Sequence, residues 1–453
     1  MTKSNKHNRR NFLQRAGAFG VLASTPLALD LGAIGSAAAQ TSGDYRALVC
    51  VFLNGGNDQS NTIVPVSDAE YAKYQTARPT LALAKSSLLP ISPTGFSGPR
   101  LGLHPALASI KPLIDQGRCG ILANVGMLSQ PTSKAQWNGG IPAVQVPIAL
   151  ESHSDQANQW QTGVPNAAST TGWLGRTADL LKGSFNSGQL SMCISTAGNN
   201  QLQAGSSTIP YAVTTAGAVP VAALAANSGF PAAALRKLMT EQRSHLLEQQ
   251  MNQTAVRSLD AERIVTAALA GVNVATAFPA TGLGAQLKMV ARLIAARTAL
   301  GQRRQVFYVS LGGFDFHSDL LSAQNNLLKT VSDGLAAFYQ ATVELGVANN
   351  VTTFTASEFG RALQPNGDGS DHGWGGHHFV LGGQVRGNRV FGTWPTVALG
   401  APEDARRGIL IPTTSVDEYA TTLATWLGVA AADLPKIMPN IGRFARPNLG
   451  FFS

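Results

Sequence analysis

The segment YRALVCVFLNGGND, from Tyr45 to Asp58, is the clearest indication of the fold class. Residues 45–53 are mostly aliphatic and aromatic, a composition typical of a short strand that is buried on both faces. Two glycines and three polar residues follow at once, so the strand delivers a polar loop at its carboxyl end. We therefore predict a sheet whose carboxyl edge presents chemically active side chains.

The same arrangement occurs twice more along the chain. The apolar run QVFYVSL (305–311) is followed by Asp315 and His317, and the run VTTFTA (351–356) is followed by Glu358. Helical patterns separate these strands, and alternation of strands and helices is typical of α/β proteins. The sequence predicts an α/β three-layer sandwich around a mostly parallel central sheet.

Helix signals support this fold class. Ser67 with Glu70, and Ser415 with Glu418, have the spacing of capping boxes, so helices should begin near residue 68 and after residue 415. Helices are also predicted over 105–115 and 320–345. Segments rich in alanine, glutamine and arginine predict a helical insertion at about residues 213–300.

The first 39 residues have the pattern of a twin-arginine signal peptide. Arg9 and Arg10 precede a mildly apolar stretch, and three alanines (37–39) form the expected cleavage site. A basic amphipathic helix of a cytosolic protein is the alternative, but it does not explain the three alanines at the expected cleavage site. We expect the Tat export machinery to deliver residues 40–453 to the periplasm or the medium.

Composition excludes several classes of protein. Of the 453 residues, 44% are apolar and 13% are charged, as in globular proteins. No apolar run after the signal segment reaches membrane-spanning length, so no integral membrane span is expected in the mature chain. Removal of residues 1–39 lowers the formal charge from +9 to +5, and no basic run with interleaved aromatics remains. Nucleic acid is therefore not an expected partner.

The segment SDHGWGGHHFVLGG (370–383) places three of the eight histidines within seven residues. Carboxylates and neutral imidazoles are the ligands that zinc, manganese and iron prefer in proteins. Ligands of open α/β sheets bind outside the carboxyl ends of the strands. We therefore expect the acidic residues and histidines after the three strands to meet the histidines of this segment at one edge of the sheet. We expect one or two divalent metal ions, although Asp58 alone, or Asp315 with His317, would also fit hydrogen-bonded turns.

Six blocks of the sequence resemble the DUF1501 family, exported bacterial proteins related to the alkaline phosphatase superfamily. The blocks are FLNGGNDQSNTIVP (52–65), LHPAL (103–107), SHSDQANQWQTG (152–163), TGWLGR (171–176), VSLGGFDFHSD (309–319) and SEFGRALQPNGDGSDHGWGGHHFVLGG (357–383). The resemblance covers nearly all of the mature chain. It implies an alkaline-phosphatase-like fold with a two-metal site.

The resemblance also implies a set of ligands in chain order. The implied metal ligands are Asp58, Asp315, His317, Glu358, Asp371, His372, and His377 or His378. Phe359 stands where the superfamily has a histidine, which Asp371 and His372 would replace. The implied nucleophile falls in the segment of Ser152, His153 and Ser154; alternatively, Ser152 is a helix N-cap and His153 a buried hydrogen-bonding residue.

Two classes of function remain open at this point. The first is an exported metal-dependent hydrolase of phosphate, phosphonate or sulfate esters, acting on a small-molecule or polymer anionic substrate. In this hydrolase, Arg361 either binds the anionic oxygens of the substrate with two hydrogen bonds or orients Glu358 through a salt bridge. The second is a non-catalytic exported protein with a structural metal or a binding loop. The C-x-P-x-R motif of sulfatases is absent, and a redox enzyme is disfavoured because no haem, copper or dinucleotide motif occurs.

Overall fold

A computed structural model of the protein describes residues 45–140, 143–224 and 231–452. The predicted signal peptide, residues 1–39, lies outside the described residues, and its assignment stays a prediction. Among the described residues, no helix combines the length and the apolar character that a bilayer crossing requires.

The strands and helices alternate along most of the chain. The strands are β1 Arg46–Leu53, β2 Ile63–Pro65, β3 Leu89–Ile91, β4 Leu101–Leu103, β5 Cys119–Gly126, β6 Cys193–Ser195, β7 Tyr211–Ala212, β8 Arg304–Leu311, β9 Val351–Ala356, β10 Arg361–Asn366, β11 Gly369–His372, β12 Gly376–Gly382, β13 Val390–Phe391 and β14 Thr414–Ser415. The α-helices are α1 Gln59–Thr62, α2 Asp68–Ala77, α3 Lys111–Asp115, α4 Lys134–Trp137, α5 His153–Thr162, α6 Trp173–Phe185, α7 Ala232–Thr240, α8 Leu246–Leu269, α9 Gly282–Ala295, α10 Leu320–Glu344, α11 Val416–Leu427 and α12 Leu434–Ile437. Short 3-10 turns cover Lys85–Ser87, Pro105–Leu107, Ala222–Leu224, Ala348–Asn350, Ala431–Asp433 and Ile441–Arg443.

Within the described residues, nine strands form the central sheet. Its order is β13-β5-β12-β9-β1-β8-β6-β7, with β14 also paired to β5. All the pairs of this sheet are parallel except those of β12, which runs antiparallel to both β5 and β9. The predicted mostly parallel sheet is confirmed.

Helices cover both faces of the sheet because successive side chains of a strand point in opposite directions. In β1, Ala47, Val49 and Val51 pack into a core shared with α9 and α10. The intervening Leu48 and Cys50 pack into a second core with α6 and α11. Since β1 is buried on both faces, it reads as a continuous apolar run. The three-layer α/β sandwich is thereby confirmed.

The helix starts follow the sequence in three of four cases, including the long helix α10, which begins at Leu320 as predicted. The Ser415 hydroxyl and the Glu418 side chain form the predicted capping box of α11. Helix α2 begins at Asp68 as predicted, but the Ser67 hydroxyl accepts a hydrogen bond from the Arg100 amide instead of capping the helix. The single helix predicted over 105–115 is wrong: a 3-10 turn is followed by the short helix α3.

The segment from about 213 to 300 contains helices α7, α8 and α9. Helix α9 is part of the core beside the sheet, with Leu287 and Val290 fully buried. The start of α8 is exposed, since Leu246 and Met251 lie largely in solvent. The segment is therefore joined to the sandwich mainly through its carboxyl-terminal part.

Candidate functional site

Three neighbouring strands bring the site together. Strands β9, β1 and β8 are adjacent and parallel, with Leu53 of β1 beside Leu311 of β8 and Phe52 beside Ala356 of β9. Their carboxyl ends therefore meet at one edge, as predicted. Gly55 allows the loops after β1 and β8 to touch, because a Cβ atom there would lie 2.4 Å from the amide nitrogen of Asp315.

Asp315 is the centre of a histidine cluster at this edge. Its Oδ1 lies 3.1 Å from Nε2 of His317 and 3.2 Å from Nε2 of His372, and its Oδ2 lies 3.4 Å from Nε2 of His153. The Nε2 atoms of His317 and His372 are 2.9 Å apart. One carboxylate and three imidazole nitrogens thus converge on a small volume. We call these four residues the Asp315 cluster.

Two of the imidazoles have a fixed tautomer. His153 donates its Nδ1 proton to the Glu358 carboxylate at 2.9 Å, and His372 donates its Nδ1 proton to the carbonyl of Glu151 at 2.6 Å. In a neutral imidazole the other nitrogen then carries a lone pair. The Nε2 of His153 is buried and has no hydrogen-bond partner among the described residues. Both Nε2 lone pairs therefore face the cluster, that of His153 without a hydrogen-bond partner and that of His372 beside Nε2 of His317.

Arg361 keeps Asp315 ionised. Burial opposes this ionisation, but the hydrogen bond and charge of Arg361, with His153 and His317, outweigh it and lower the pKa of Asp315 to about 2. The Arg361 guanidinium is fully buried and donates to the carbonyls of Gly55, Gly56 and Ser370 as well as to Asp315. Its nitrogens are engaged within the protein, so the predicted grip on substrate oxygens is wrong. The predicted salt bridge to Glu358 is also wrong, because the partner of Arg361 is Asp315.

Phe359 forms the apolar wall of the cluster. Its ring stacks on His372 with centroids 4.7 Å apart and lies 4.8 Å from the ring of His153. Phe359 therefore positions two imidazoles by packing.

An outer ring of charges surrounds the cluster. Asp371 accepts from Asn366 and pairs with Arg407 at 2.7 Å, and its Oδ1 lies 3.7 Å from Nδ1 of His317. The carboxylate of Glu151 pairs with Arg406. Burial opposes ionisation of Asp371, but its bonds to Asn366 and Arg407 and the charges of Arg407 and His317 outweigh it and lower its pKa.

Asp58 is not brought into the cluster, contrary to the prediction. Both its oxygens bind the guanidinium of Arg78, at 2.9 and 2.7 Å, and Oδ1 also accepts from the amide of Ser60. Asp58 and Arg78 are fully buried. Asp58 therefore caps α1 and neutralises a buried arginine instead of facing a cation.

His377 and His378 are likewise separate from the cluster. They lie inside strand β12, where His377 accepts from the amide of Asn124 and stacks on Trp394, while His378 stacks on Tyr419. Burial, with the neighbouring His378 charge, lowers the pKa of His377 to about 3, and burial alone lowers that of His378 to about 3. They are neutral core residues, which corrects their prediction as ligands.

Four other predicted residues lie next to the cluster in different roles. Glu358 and Asp371 contact imidazoles of the cluster rather than the central space. The Ser152 hydroxyl accepts from the amide of Asp155 as the N-cap of α5, and Ser154 bonds the Ser152 and Asp155 side chains. Ser152 therefore has the N-cap role that was the alternative to a nucleophile, whereas His153 of the same segment belongs to the cluster.

Sequence reasoning missed three charged residues of the site. Glu151 immediately precedes the SHSDQ segment, but its contribution is a backbone carbonyl, which no side-chain pattern reveals. Arg406 and Arg407 lie in a loop outside the blocks of resemblance. The sequence feature that could have pointed to these two residues is that the two arginines are adjacent in the chain.

The cluster fits a divalent cation. His153, Asp315 and His372 each offer one ligand atom, and these atoms all lie within 4.8 Å of one another. Atoms that share an ion at about 2.1 Å lie roughly 3 to 3.4 Å apart in tetrahedral or octahedral coordination. The contact of 3.2 Å joins Oδ1 of Asp315 to His372 and the contact of 3.4 Å joins its Oδ2 to His153, and each has this spacing. Their outer contacts, to Glu358 and to a carbonyl, are those typical of metal-bound histidines.

The fold and the cluster define an α/β sandwich protein with a histidine–carboxylate site at the carboxyl edge of its sheet. The chain belongs to the family described as Protein of unknown function (DUF1501), whose model matches residues 45–408. No curated protein matches the sequence.

Two solved structures are similar over much of the chain. The lipoteichoic acid synthase LtaP from Listeria monocytogenes has 7% identity and a TM-score of 0.35, covering 86% of this chain and 73% of its own. The PsFucS1 sulfatase from Pseudoalteromonas sp. has 8% identity and a TM-score of 0.35, covering 89% of this chain and 72% of its own. Similarity of this extent supports no conclusion about the chemistry of this chain, which depends on its own side chains.

Proposed function

We propose that this protein is an exported, metal-dependent hydrolase of phosphate, phosphonate or sulfate esters. The observation that carries the proposal is the convergence of two fixed Nε2 lone pairs, from His153 and His372, on the ionised carboxylate of Asp315. The twin-arginine pattern and the sequence resemblance to the alkaline phosphatase superfamily support the export and the reaction class.

His153, Asp315 and His372 are the residues that would hold the cation. Zinc, manganese and iron all accept this ligand chemistry. When bound, such an ion supplies Lewis-acid polarisation of an ester oxygen and lowers the pKa of water. Three protein ligands leave coordination positions open, as in catalytic zinc sites.

The charge of the site suits an anionic substrate. The connected network contains four carboxylates, Asp315, Glu358, Asp371 and Glu151, and three guanidinium groups, Arg361, Arg406 and Arg407. With neutral imidazoles its formal charge is −1, and one divalent cation reverses it to +1. The loaded site therefore attracts an anion.

Water is the nucleophile in this proposal. Among the described residues, no serine or threonine hydroxyl forms a hydrogen bond to the Asp315 cluster, and Ser152 and Ser154 are engaged at the start of α5. His317 is the imidazole best suited to take the proton. Its side chain is 45% exposed, and its Nδ1 lies 3.7 Å from Asp371, so it is less firmly fixed than the other two. We assign proton transfer to the imidazole of His317.

The test uses purified mature protein. We expect one divalent ion per chain by elemental analysis, and hydrolysis of at least one chromogenic phosphate or sulfate ester. A chelator should abolish the hydrolysis, and the restored metal should recover it. Metal-loaded protein that hydrolyses no mono- or diester in a broad panel contradicts the proposal.

The absence of an engaged hydroxyl nucleophile also favours a second candidate, a non-catalytic exported protein with a structural metal. The two candidates differ at His317. If the metal is only structural, both the wild type and His317→Ala bind the metal and neither hydrolyses an ester. In the hydrolase, the same change removes turnover while the metal stays bound.

A further inference from the structure

We propose that Arg406 and Arg407 form an anion-recognition pair at the mouth of the site. The pair would select esters of polyanions, which carry a further negative group beside the one that is cleaved. This inference rests on the proposed function and adds the substrate class to it. Arg361 cannot bind such a group, because its guanidinium is buried and donates its hydrogen bonds within the protein.

The two arginines reach the cluster through single intermediates. Arg406 pairs with the carboxylate of Glu151, whose carbonyl accepts the Nδ1 proton of His372. Arg407 pairs with Asp371, which lies 3.7 Å from His317. Each guanidinium is thus one residue away from an imidazole of the cluster, near the reacting group without touching it.

Both arginines keep donors for a ligand. Their side chains are 60% and 50% exposed, and each contacts its carboxylate through Nη2. A guanidinium carries five N–H donors, and no further hydrogen bond of either group occurs among the described residues. Arg361, by contrast, is 0% exposed and donates through all three of its nitrogens. The spare donors of Arg406 and Arg407 suit bidentate contacts to sulfate or phosphate oxygens.

The backbone holds the pair in a strained and rigid turn. Arg407 has a φ of 53°, in the left-handed region that a residue with a Cβ rarely adopts, and Gly408 follows with a φ of 75°. The buried Asp404 carboxylate accepts from the amides of Gly400 and Gly408. The carbonyl of Arg407 also accepts from the amide of Gln364 in β10. Strain of this kind persists where the surroundings enforce it, and it is frequent at ligand-binding sites.

These observations favour a polyanion over a singly charged ester. The cleaved group belongs at Asp315, where the cation ligands meet, whereas the arginines lie beyond Glu151 and Asp371. A second anionic group along the same ligand would reach them. An oligomer with repeated sulfate or phosphate groups has this property, and a small ester with one charge does not.

The experiment uses the metal-loaded mature protein, with dextran sulfate as the probe and neutral dextran as its control. Arg406→Gln with Arg407→Gln is the test variant, and the single change Arg406→Gln avoids the strained position. The matched control is Arg257→Gln with Arg263→Gln, which removes the same charge from a separate cleft. Metal content is measured for every variant.

We expect the test variant to weaken dextran sulfate binding, or its inhibition of ester hydrolysis, by about tenfold or more, because two bidentate anion contacts are lost. For a singly charged chromogenic ester, KM should rise by a smaller factor than the loss of dextran sulfate affinity, because that ester has no second anionic group for the pair. The control variant should bind dextran sulfate like the wild type. Unchanged affinity in the test variant, or an equal loss in the control, overturns the inference.

The two proposals fail separately. If no ester is hydrolysed, the hydrolase proposal fails, while direct titration with dextran sulfate still decides whether Arg406 and Arg407 recognise polyanions. If esters are hydrolysed but the arginine variants bind the polyanion normally, only the recognition pair is refuted.

Discussion

The Nδ1 atom of His153 lies 2.9 Å from Oε1 of Glu358, a residue 205 positions further along the chain. The same Glu358 oxygen accepts a hydrogen bond from the amide of Gly55, so strands β1 and β9 together hold the carboxylate in place. This contact decides that Nε2, and not Nδ1, of His153 faces Asp315. The orientation of the imidazole is therefore set by the sheet edge as a whole.

Glu358→Gln should weaken metal binding about 10- to 100-fold, because the amide is a poorer acceptor for the Nδ1 proton of His153. The side-chain volume hardly changes, so the melting temperature without metal should stay close to that of the wild type. Affinity is measured by competition with a chromogenic chelator. Glu248→Gln, on the exposed start of α8, is the control. Equal affinities of Glu358→Gln and the wild type would show that the contact does not position a ligand.

The three imidazoles should respond differently to removal. His153→Ala and His372→Ala each delete a ligand, so both proteins should be purified with little metal. His317→Ala should keep its metal and lose about 10²- to 10⁴-fold in kcat, the range for loss of a general acid or base. Elemental analysis and steady-state kinetics measure the two effects. Loss of metal from His317→Ala would instead make His317 a ligand.

Asp58→Asn should destabilise the fold and leave the metal site intact. Breaking a fully buried ion pair costs about 3–5 kcal/mol, because the Arg78 charge loses its partner. Denaturant unfolding measures this loss, and the double change Asp58→Asn with Arg78→Gln should recover part of it. Metal content of the folded protein should equal that of the wild type. A stable Asp58→Asn protein without metal would restore Asp58 to the ligand set.

Asp417 gives the protein a sensitivity to alkaline pH. Both its carboxylate oxygens are buried without a hydrogen-bond partner among the described residues, and burial raises its pKa to about 8. Because the folded-state pKa is above the unfolded value of about 3.9, the stabilisation is complete below pH 4 and is lost as the pH rises through 8.

Asp417→Asn removes this titration, since the amide stays neutral. The melting temperature of the variant relative to the wild type should therefore be higher at pH 9 than at pH 5. Thermal unfolding at pH 5, 7 and 9 measures the difference, with Glu248→Gln as the control. A difference that is constant across this range would mean that Asp417 is ionised in the folded protein at every pH.

The sequence predicted best those features of the fold that depend on the composition of a single short segment. Runs of six to nine mainly apolar and β-branched residues predicted β1, β8 and β9, because a strand buried on both faces has few strongly polar side chains. Parallel pairing then placed the residues after these strands at one edge. This is how Asp315, His317 and Glu358 could be placed near one another, and why His372 could be expected beside them.

The remaining assignments depended on distant partners. Asp58 follows β1 as a ligand would, but Arg78 at the end of α2 occupies both its oxygens. His377 and His378 follow His372 within a glycine-rich segment, yet β12 begins at Gly376 and carries both into the core. Neither outcome has a signature in local composition. The contribution of Glu151 depends on a left-handed backbone, φ 72°, which the sequence does not indicate for a glutamate.

The ligands of the Asp315 cluster come from the start of α5, the loop after β8 and the end of β11, and none of these segments has two of the three. A nascent or unfolded chain therefore does not bring these three ligands together. If the cluster holds a cation as we propose, that ion is selected only after the sheet has folded, from those present in the compartment where folding ends.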